Sequence, residues 1–357
     1  MKPIIPFALL GALLAVGAAD AAATTPVGYT TNLVKAAFSP TSAKVNFISL
    51  PLVNSASWAG SVTSVLGDVV TLNVGTSPLT AGAYDKFGPL AFSGTTVYRY
   101  YIETADGYYA QIESNATGTV TVETGAGSNF SPAELVTIRR HRTMSDLFGP
   151  ANEAGLQGTG TGDPNEADNI NIIDETNGGN VGIFPAPGVI VGATFVDASF
   201  NDADDYPVYP DQGLQIVRRG ATDLPITVTG EVHAIPTQIQ IGTGFQIRPV
   251  VLPVPVALGG LALYTGNIAT GLAGSDSGDL NQADKLSIVI DGNSTGYFYS
   301  TIDLDPAPGD QIGWYTDAFL FVDTTVLPAG AALNITRDNP TNNAPFVWIN
   351  PAPVIAP

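Results

Sequence analysis

The hydrophobic positions of the chain are spaced for β-strands rather than for helices. In "TQIQI" (237–241) polar and apolar residues alternate, which is the period of a strand with one buried face. Comparable short runs rich in β-branched residues recur, such as "GTVTVET" (118–124) and "LPITVTGEV" (224–232). The 39 glycines and 27 prolines separate these runs and disfavour long helices. We therefore predict an all-β protein with very little helix, the one candidate being "TMSDLFG" (143–149), where Ser145 would cap.

One stretch of this pattern occurs twice. Residues 155–172 align without a gap to residues 271–288, and nine of the eighteen positions are identical. In both copies an acidic turn, "GDPNEAD" or "GDLNQAD", precedes a strand, and the match resumes at "LQIVRR" (214–219) and "LNITRD" (333–338). Identity this dense in so short a window indicates an internal duplication.

A fainter third copy lies upstream. "VTIRRH" (136–141) carries an isoleucine and an arginine two residues apart, as "LQIVRR" does, and residues 28–52 resemble residues 230–253. We therefore predict tandem β-sandwich- or barrel-like modules. Their predicted boundaries are 24–143 for the divergent first copy, 144–229 for the second and 230–357 for the third.

The N-terminus has the layout of a secretory signal peptide. Lys2 precedes the apolar run "IIPFALLGALLAVGAA", and small residues follow, so cleavage is expected after Ala21 or Ala23 and the signal peptide is assigned to 1–21. An uncleaved anchor is the alternative, but the run is shorter than the about 20 apolar residues of a membrane span. We expect an exported protein, extracellular, at the cell surface or periplasmic, with no membrane span in the mature chain.

Composition and charge exclude several classes of function. The chain has no cysteine, which excludes disulfides, thiolate metal sites and cysteine nucleophiles. Its net charge is −19 although only 13% of the residues are charged. Such a surface repels phosphates, so no nucleic-acid partner is expected, and it weakly attracts divalent cations.

The repeated acidic turns allow two interpretations. Calcium requires six to eight oxygen ligands, and each turn offers three oxygen-bearing side chains within six residues. The spacing differs from the calcium-loop pattern, however, and such side chains commonly bond backbone amides in a turn. We favour turn structure and keep a weak calcium site, the only cofactor considered, as the alternative. The residues concerned are Asp163, Asn165, Asp168, Asp279, Asn281 and Asp284.

Three arginines, Arg140, Arg218 and Arg337, occupy the same place in their strands, two residues after an isoleucine. Residues two apart on a strand project from the same face. An arginine beside core isoleucines lays its stem on apolar surface and pairs its head. We predict a structural ion pair with the repeated aspartate, Asp168 or Asp284. An anion or sulfated-glycan site is the alternative.

Tyrosines cluster in "VYRYYIETADGYYAQIE" (97–113), around a hairpin-like "ADG" turn. Aromatic faces exposed on a lectin-like module stack on sugar rings, whereas aromatic residues in a sandwich are more often buried. Alternation along "VYRYY" predicts that at least one ring is exposed. The candidates for a glycan-stacking platform are Tyr98, Tyr100, Tyr101, Tyr108 and Tyr109.

Catalytic motifs are absent from the sequence. His141 and His233 are the only histidines, and no nucleophile elbow, zinc-protease motif or Walker loop occurs. A carboxylate pair of the glycosidase type is the one alternative to a non-enzyme. Its candidates are Glu103, Glu113, Glu123 and Glu134, and no spacing singles one out. No catalytic residue is assigned.

At "GLAGSDSGDLNQADKLSIVID", "WYTDA" and "LPAGAALNITR" the chain resembles an uncharacterised family of secreted, mainly verrucomicrobial, β-rich repeat proteins. The resemblance implies an exported, surface-associated β-protein and brings no activity and no site. We expect a non-catalytic structural or adhesive protein whose partners are extracellular polysaccharide or cell-envelope components. The alternatives are a carbohydrate-binding module protein and a secreted glycoside-active enzyme.

Overall fold

The computed structural model describes residues 26–37, 42–87, 96–174, 179–290, 292–304, 311–337 and 344–352. The predicted signal peptide lies outside these residues. Across the described ranges the all-β prediction is confirmed, with a single short α-helix, α1 (Met144–Phe148), and 3₁₀ turns at Ala126–Asn129 and Leu258–Leu261.

The strands are β1 (Val27–Val34), β2 (Lys44–Ile48), β3 (Leu52–Val53), β4 (Ala56–Leu66), β5 (Val69–Leu72), β6 (Tyr100–Thr104), β7 (Tyr109–Asn115), β8 (Thr119–Val122), β9 (Leu135–Arg140), β10 (Arg142–Thr143), β11 (Asn169–Asp174), β12 (Gly179–Pro185), β13 (Phe195–Asp197), β14 (Pro207–Val208), β15 (Leu214–Arg218), β16 (Leu224–Val232), β17 (Thr237–Ile241), β18 (Gly244–Pro249), β19 (Val256–Ala257), β20 (Lys285–Ile290), β21 (Asn293–Ser300), β22 (Gly313–Thr316), β23 (Val326–Leu327), β24 (Ala332–Arg337) and β25 (Phe346–Asn350). All pairs of named strands are antiparallel.

Two sets of five strands have the same order in the largest sheet. The first set pairs as β2, β15, β11, β12 and β13, and the second as β18, β24, β20, β21 and β22. The sets join where Asp174 of β11 pairs with Gln246 of β18, which makes a sheet of ten described strands. The duplicated segments therefore occupy equivalent positions, because β11 and β20 each follow an acidic turn.

A second layer completes each repeat. In the first repeat β1 pairs with β16, and in the second β17 pairs with β25. The small pairs β10–β14 and β19–β23 also correspond. Each second layer shares a core with its part of the large sheet: Ile226 and Val228 pack with Ile170 and Ile216 in the first repeat. In the second repeat Ile239 and Trp348 pack with Leu286 and Ile335.

A closed six-stranded barrel is inserted into the first repeat. Its strands follow the order β4, β5, β8, β7, β6 and β9 around a separate core that includes Val70, Ile102 and Ile138. The two ends of the insertion lie side by side, because Arg142 Nε donates to Leu52 O at 3.1 Å and Asn54 Nδ2 to Arg140 O at 3.1 Å. In the second repeat only residues 250–255 separate the equivalent strands β18 and β19.

This pairing departs from the predicted boundary of the first module. Strands β1 and β2 belong with β16 and β15, which lie beyond that boundary. Strand β9, with Ile138 and Arg140, is a barrel strand, whereas β15 and β24 lie in the large sheet. The three basic strands thus occupy two different structural settings.

The predicted helix forms, but with a different cap. Thr143 is the N-cap, and its hydroxyl accepts from the backbone N–H of Asp146 while the Asp146 carboxylate accepts from the N–H of Thr143. The expected cap, Ser145, instead donates to Asp204 O at 2.9 Å. Thr143 has extended φ/ψ angles, which a capping residue requires. No helix among the described residues has the length and apolar character needed to cross a membrane.

Candidate functional site

A cleft of about 640 Å³ opens between the barrel and the two repeats. Strand β7 supplies one wall, β12 and the segment before β15 supply a second, and β17 supplies a third. Apart from Thr96, the polar lining consists of tyrosines, amide side chains and two carboxylates. They are Tyr98, Tyr108, Tyr109, Tyr206 and Tyr209, then Gln111, Asn180, Gln212, Gln238 and Gln240, and finally Glu123 and Asp211.

The rings of Tyr98 and Tyr108 are held in place yet stay half-buried. The phenolic oxygen of Tyr209 accepts from the backbone N–H of Tyr98 at 3.2 Å, and Lys86 Nζ lies 5.8 Å from the centre of the Tyr98 ring. Tyr108 packs edge-on against Phe130, with ring centres 5.6 Å apart. Fixed, partly open aromatic faces lose little conformational entropy when a ligand packs on them.

Gln111 places an unused donor in the cleft. The residue is only 5% exposed, and its Oε1 accepts from His141 Nε2 at 2.6 Å. The terminal amide nitrogen donates to no residue that the structure describes. A polar group so deep is usually hydrogen-bonded, so this amide is available to a ligand.

His141 fixes the orientation of that amide. Its ring stacks on Tyr101 and tilts against Tyr209, with centres 4.7 Å away in both cases. Burial lowers the pKa of His141 to about 3, so the imidazole is neutral and donates from Nε2. A neutral, enclosed imidazole is suited to positioning Gln111.

The two carboxylates differ in their partners. Asp211 lies 3.6 Å from Arg248 Nη1 and accepts from the Tyr109 hydroxyl. Glu123 accepts from the backbone N–H of Gln111 at 3.2 Å, and no described basic side chain pairs with it. Burial raises the pKa of Glu123, and the negative charges of Asp211 and Glu113 raise it further. The charged side chains that line the cleft are therefore both acidic, and only Glu123 is without a basic partner among the described residues.

The structure brings three of the five predicted platform tyrosines together. Tyr98, Tyr108 and Tyr109 line the cleft. Tyr100 instead packs on Tyr84 at 4.9 Å, and Tyr101 is buried beside His141. Tyr206 and Tyr209 were not predicted, because they lie in another module about 100 residues along the chain and only tertiary structure brings them to the cleft.

In neither acidic turn do the three residues of the calcium hypothesis converge on a common point. Asp168 and Asp284 are fully buried and turned towards the core, whereas the other four are exposed. Asp163 and Asp279 accept from the backbone N–H groups of Asn165 and Asn281 at 2.8 and 2.9 Å, as turn-forming side chains do. Among the described residues, no three His, Asp or Glu side chains are grouped so that they could hold a metal ion.

The recurrent arginines separate into two types. Arg218 pairs with Asp168, and Arg337 Nε donates to Asp284 Oδ2 at 3.2 Å; both arginines are buried. Arg140 is 41% exposed at its side chain and lies 3.4 Å from Asp146 instead. The buried arginine at the end of β9 is its neighbour, Arg139. No ligand face is open at Arg218 or Arg337.

Arg139 belongs to a buried cluster that joins the barrel to the repeats. It donates to Glu103 and to Glu231, at 2.6 Å in each case. Glu103 Oε2 also lies 2.9 Å from His233 Nε2, and Thr237 Oγ1 lies 3.1 Å from His233 Nδ1. These hydrogen bonds lower the pKa of Glu103 against the opposing effect of burial. Hydrogen bonds thus connect the Thr237 hydroxyl, the His233 imidazole and the Glu103 carboxylate in a row. All three residues are buried at the junction between the barrel and the repeats.

Comparisons with protein-family models, curated proteins and solved structures gave no match to this chain. The resemblance to secreted β-rich repeat proteins therefore rests on the quoted residues alone.

Proposed function

We propose that this is a non-catalytic, exported adhesive protein that holds a glycan in the cleft between the barrel and the repeats. The observation that carries the proposal is the lining of a cleft of about 640 Å³ by five tyrosines and five amide side chains. Tyrosine rings offer apolar faces to sugar rings, and amides both donate to and accept from sugar hydroxyls. The unused amide nitrogen of Gln111 supports the proposal further.

The volume and the location fit this role. A cleft of this size is in the range of small-molecule sites, so it would take a few sugar units of a longer chain. The export expected from residues 1–21 would give the cleft access to extracellular or cell-envelope polysaccharide. Half-buried tyrosines from both the barrel and the first repeat would grip the chain from two sides.

Affinity gel electrophoresis with a panel of soluble neutral polysaccharides tests the proposal. We expect at least one polysaccharide to retard the protein, and Tyr98→Ala and Tyr108→Ala to weaken that binding about tenfold each. Tyr29→Ala is the matched control, because Tyr29 is 75% exposed on β1 and does not line the cleft. Unchanged mobility with every polysaccharide, or equal loss with the control, would contradict a glycan site here.

A secreted glycoside-active enzyme is the second candidate, favoured by one observation. Glu123 and Asp211 share the cleft, and a carboxyl with a raised pKa beside an ion-paired one fits an acid and its partner carboxylate. Asp211, however, is already engaged by Arg248 and Tyr109. The decisive measurement is the release of reducing ends from any polysaccharide that binds, and we expect none.

A further inference from the structure

We propose that the cleft selects glycans with free amino groups, such as polymers of unacetylated glucosamine, over neutral and acidic glycans. This inference rests on the proposed function and specifies its ligand class. Three observations support it: the charges that line the cleft, the lack of a cationic partner for Glu123, and the aromatic faces beside that carboxylate.

The first observation is a one-sided charge. Glu123 and Asp211 line the cleft, and among the described residues no lysine, arginine or histidine does. Two cations lie nearby and are already paired: Lys86 pairs with Glu113 at 3.0 Å, and Arg248 pairs with Asp211 of the lining and donates to Gln246 Oε1 at 2.9 Å. A uronate or sulfate group entering the cleft would meet the unpaired carboxylate of Glu123 and no cation in the described lining itself, which disfavours acidic glycans.

The second observation concerns Glu123 itself. Its carboxylate accepts from the backbone N–H of Gln111, and no described guanidinium or ammonium group neutralises it. Asp211 and Glu113 repel its negative charge, and desolvation penalises that charge as well. A cation that entered the cleft would relieve both penalties, so the site is complementary to a ligand ammonium group.

The third observation is the surroundings of that carboxylate. Tyr98 and Tyr108 line the same cleft as Glu123; burial raises the pKa of both phenols, and the negative charge of Glu123 raises it further. Ammonium groups are attracted both to carboxylates and to the faces of aromatic rings. The Gln111 amide would then hydrogen-bond a neighbouring hydroxyl oxygen, so the amine and the sugar ring are recognised together.

Isothermal titration calorimetry with three hexamers tests this selectivity on the purified full chain. The ligands are the glucosamine hexamer, the N-acetylglucosamine hexamer and a hexamer of a uronic acid. Near neutral pH and at low salt, we expect the glucosamine hexamer to bind about tenfold more tightly than its acetylated form, and the uronate to bind least. Equal affinities, or tightest binding of the uronate, would overturn the inference.

Two variants that each remove one negative charge separate a local effect from net charge. Glu123→Gln keeps an oxygen to accept from Gln111, and we expect it to abolish the preference for the free amine without weakening the acetylated hexamer. Asp279→Asn is the matched control, since its side chain is exposed on the second repeat and its amide oxygen still accepts from Asn281. A preference that survives in Glu123→Gln, or is lost equally in both, would overturn the inference.

Binding of the acetylated hexamer distinguishes the two proposals. If it binds but the amine gives no advantage, the glycan site stands and the amine selectivity fails. If no hexamer binds, the amine selectivity fails, and the glycan site stands or falls with the polysaccharide panel. A lysine hexamer is included as a further ligand: affinity equal to that of the glucosamine hexamer would mean that charge alone is captured, and this too would overturn the inference.

Discussion

Arg337 donates from Nε to Asp284 Oδ2 at 3.2 Å, and both side chains are fully withdrawn from solvent. Arg218 and Asp168 form the same pair at the equivalent place in the other repeat. The aspartates also accept from backbone amides, Asp168 from Gln157 and Asp284 from Ala273, at 2.7 and 2.8 Å. Each aspartate therefore links the segment before its acidic turn to the strand that ends in the arginine, which is β15 in the first repeat and β24 in the second.

Breaking one of these pairs should be costly. Asp168→Asn leaves the Arg218 guanidinium buried without its counter-charge, and we expect a loss of about 3–5 kcal/mol in the free energy of unfolding. Urea denaturation followed by circular dichroism measures it. Asp163→Asn, in the exposed part of the same turn, is the control and should change stability by less than about 0.5 kcal/mol. Similar midpoints for the two variants would show that the buried pair is not a stabilising element.

The neutral state of His141 predicts a pH dependence of stability. Its pKa is about 3 in the folded protein, against 6.5 for the ordinary side chain, so below pH 6.5 the unfolded chain binds a proton that the folded chain refuses. Its contribution is complete above that pH and falls as the pH drops towards 3, by about 5 kcal/mol in total. Thermal unfolding from pH 7 to pH 4 should show most of this loss, and His141→Phe should flatten the profile. An unchanged profile would contradict the assignment to His141.

The junction between barrel and repeats depends on Arg139. Arg139→Met leaves Glu103 and Glu231 buried as like charges, so we expect a loss of about 3 kcal/mol or more. Hydrogen exchange should increase in β6 and β9 and in the segment around His233. The matched control is Arg140→Met: Arg140 is half exposed beside Asp146, and its loss should cost less than about 1 kcal/mol. Equal effects of the two substitutions would disprove the special role of Arg139.

Gly107 permits the barrel to dock on the second repeat. Its φ is +90°, and a Cβ at this position would lie 2.1 Å from Pro236 O, a backbone atom. The carbonyl of Gly107 also accepts from the N–H of Gln238 at 3.0 Å. Gly107→Ala should therefore destabilise the protein by about 2 kcal/mol or more and weaken glycan binding, because Gln238 lines the cleft. Differential scanning calorimetry measures the first effect.

Gly118→Ala provides the comparison for this substitution. A Cβ there would meet no atom within 4 Å, and its φ is outside the positive range. We expect its melting temperature to match that of the unchanged protein. If the two alanine variants had the same melting temperature, the close packing at Gly107 would not contribute to stability.

The sequence was sufficient for the fold class because strand alternation is a local property. "TQIQI" alternates along β17 as predicted, with Ile239 and Ile241 buried. Closure of the barrel was not predictable in this way, since it depends on the pairing of β4 with β9, about 75 residues further along the chain. No local pattern marks which strands close a sheet.

The candidate site was predictable only in part for the same reason. The tyrosines of 97–113 stood out by their density, but Tyr206 and Tyr209 reach the cleft from another repeat. The burial of Arg139 on β9 was not predictable from the sequence either, because the repeats cover the outer face of this barrel strand. Ile138 points to the barrel core, and Arg139 on the opposite face is buried by the junction with Glu231.

The two ends of the inserted barrel lie side by side, so a different barrel can be inserted there without a change in the strands of the first repeat. In the second repeat only six residues connect the equivalent strands, β18 and β19, so the two layers of that repeat form without an inserted barrel. Exchanging one barrel for another would alter the wall that carries Tyr98, Tyr108 and Glu123, while both hydrophobic cores of the framework kept their own contacts. Differences in ligand specificity between proteins of this architecture would then be concentrated in the inserted barrel.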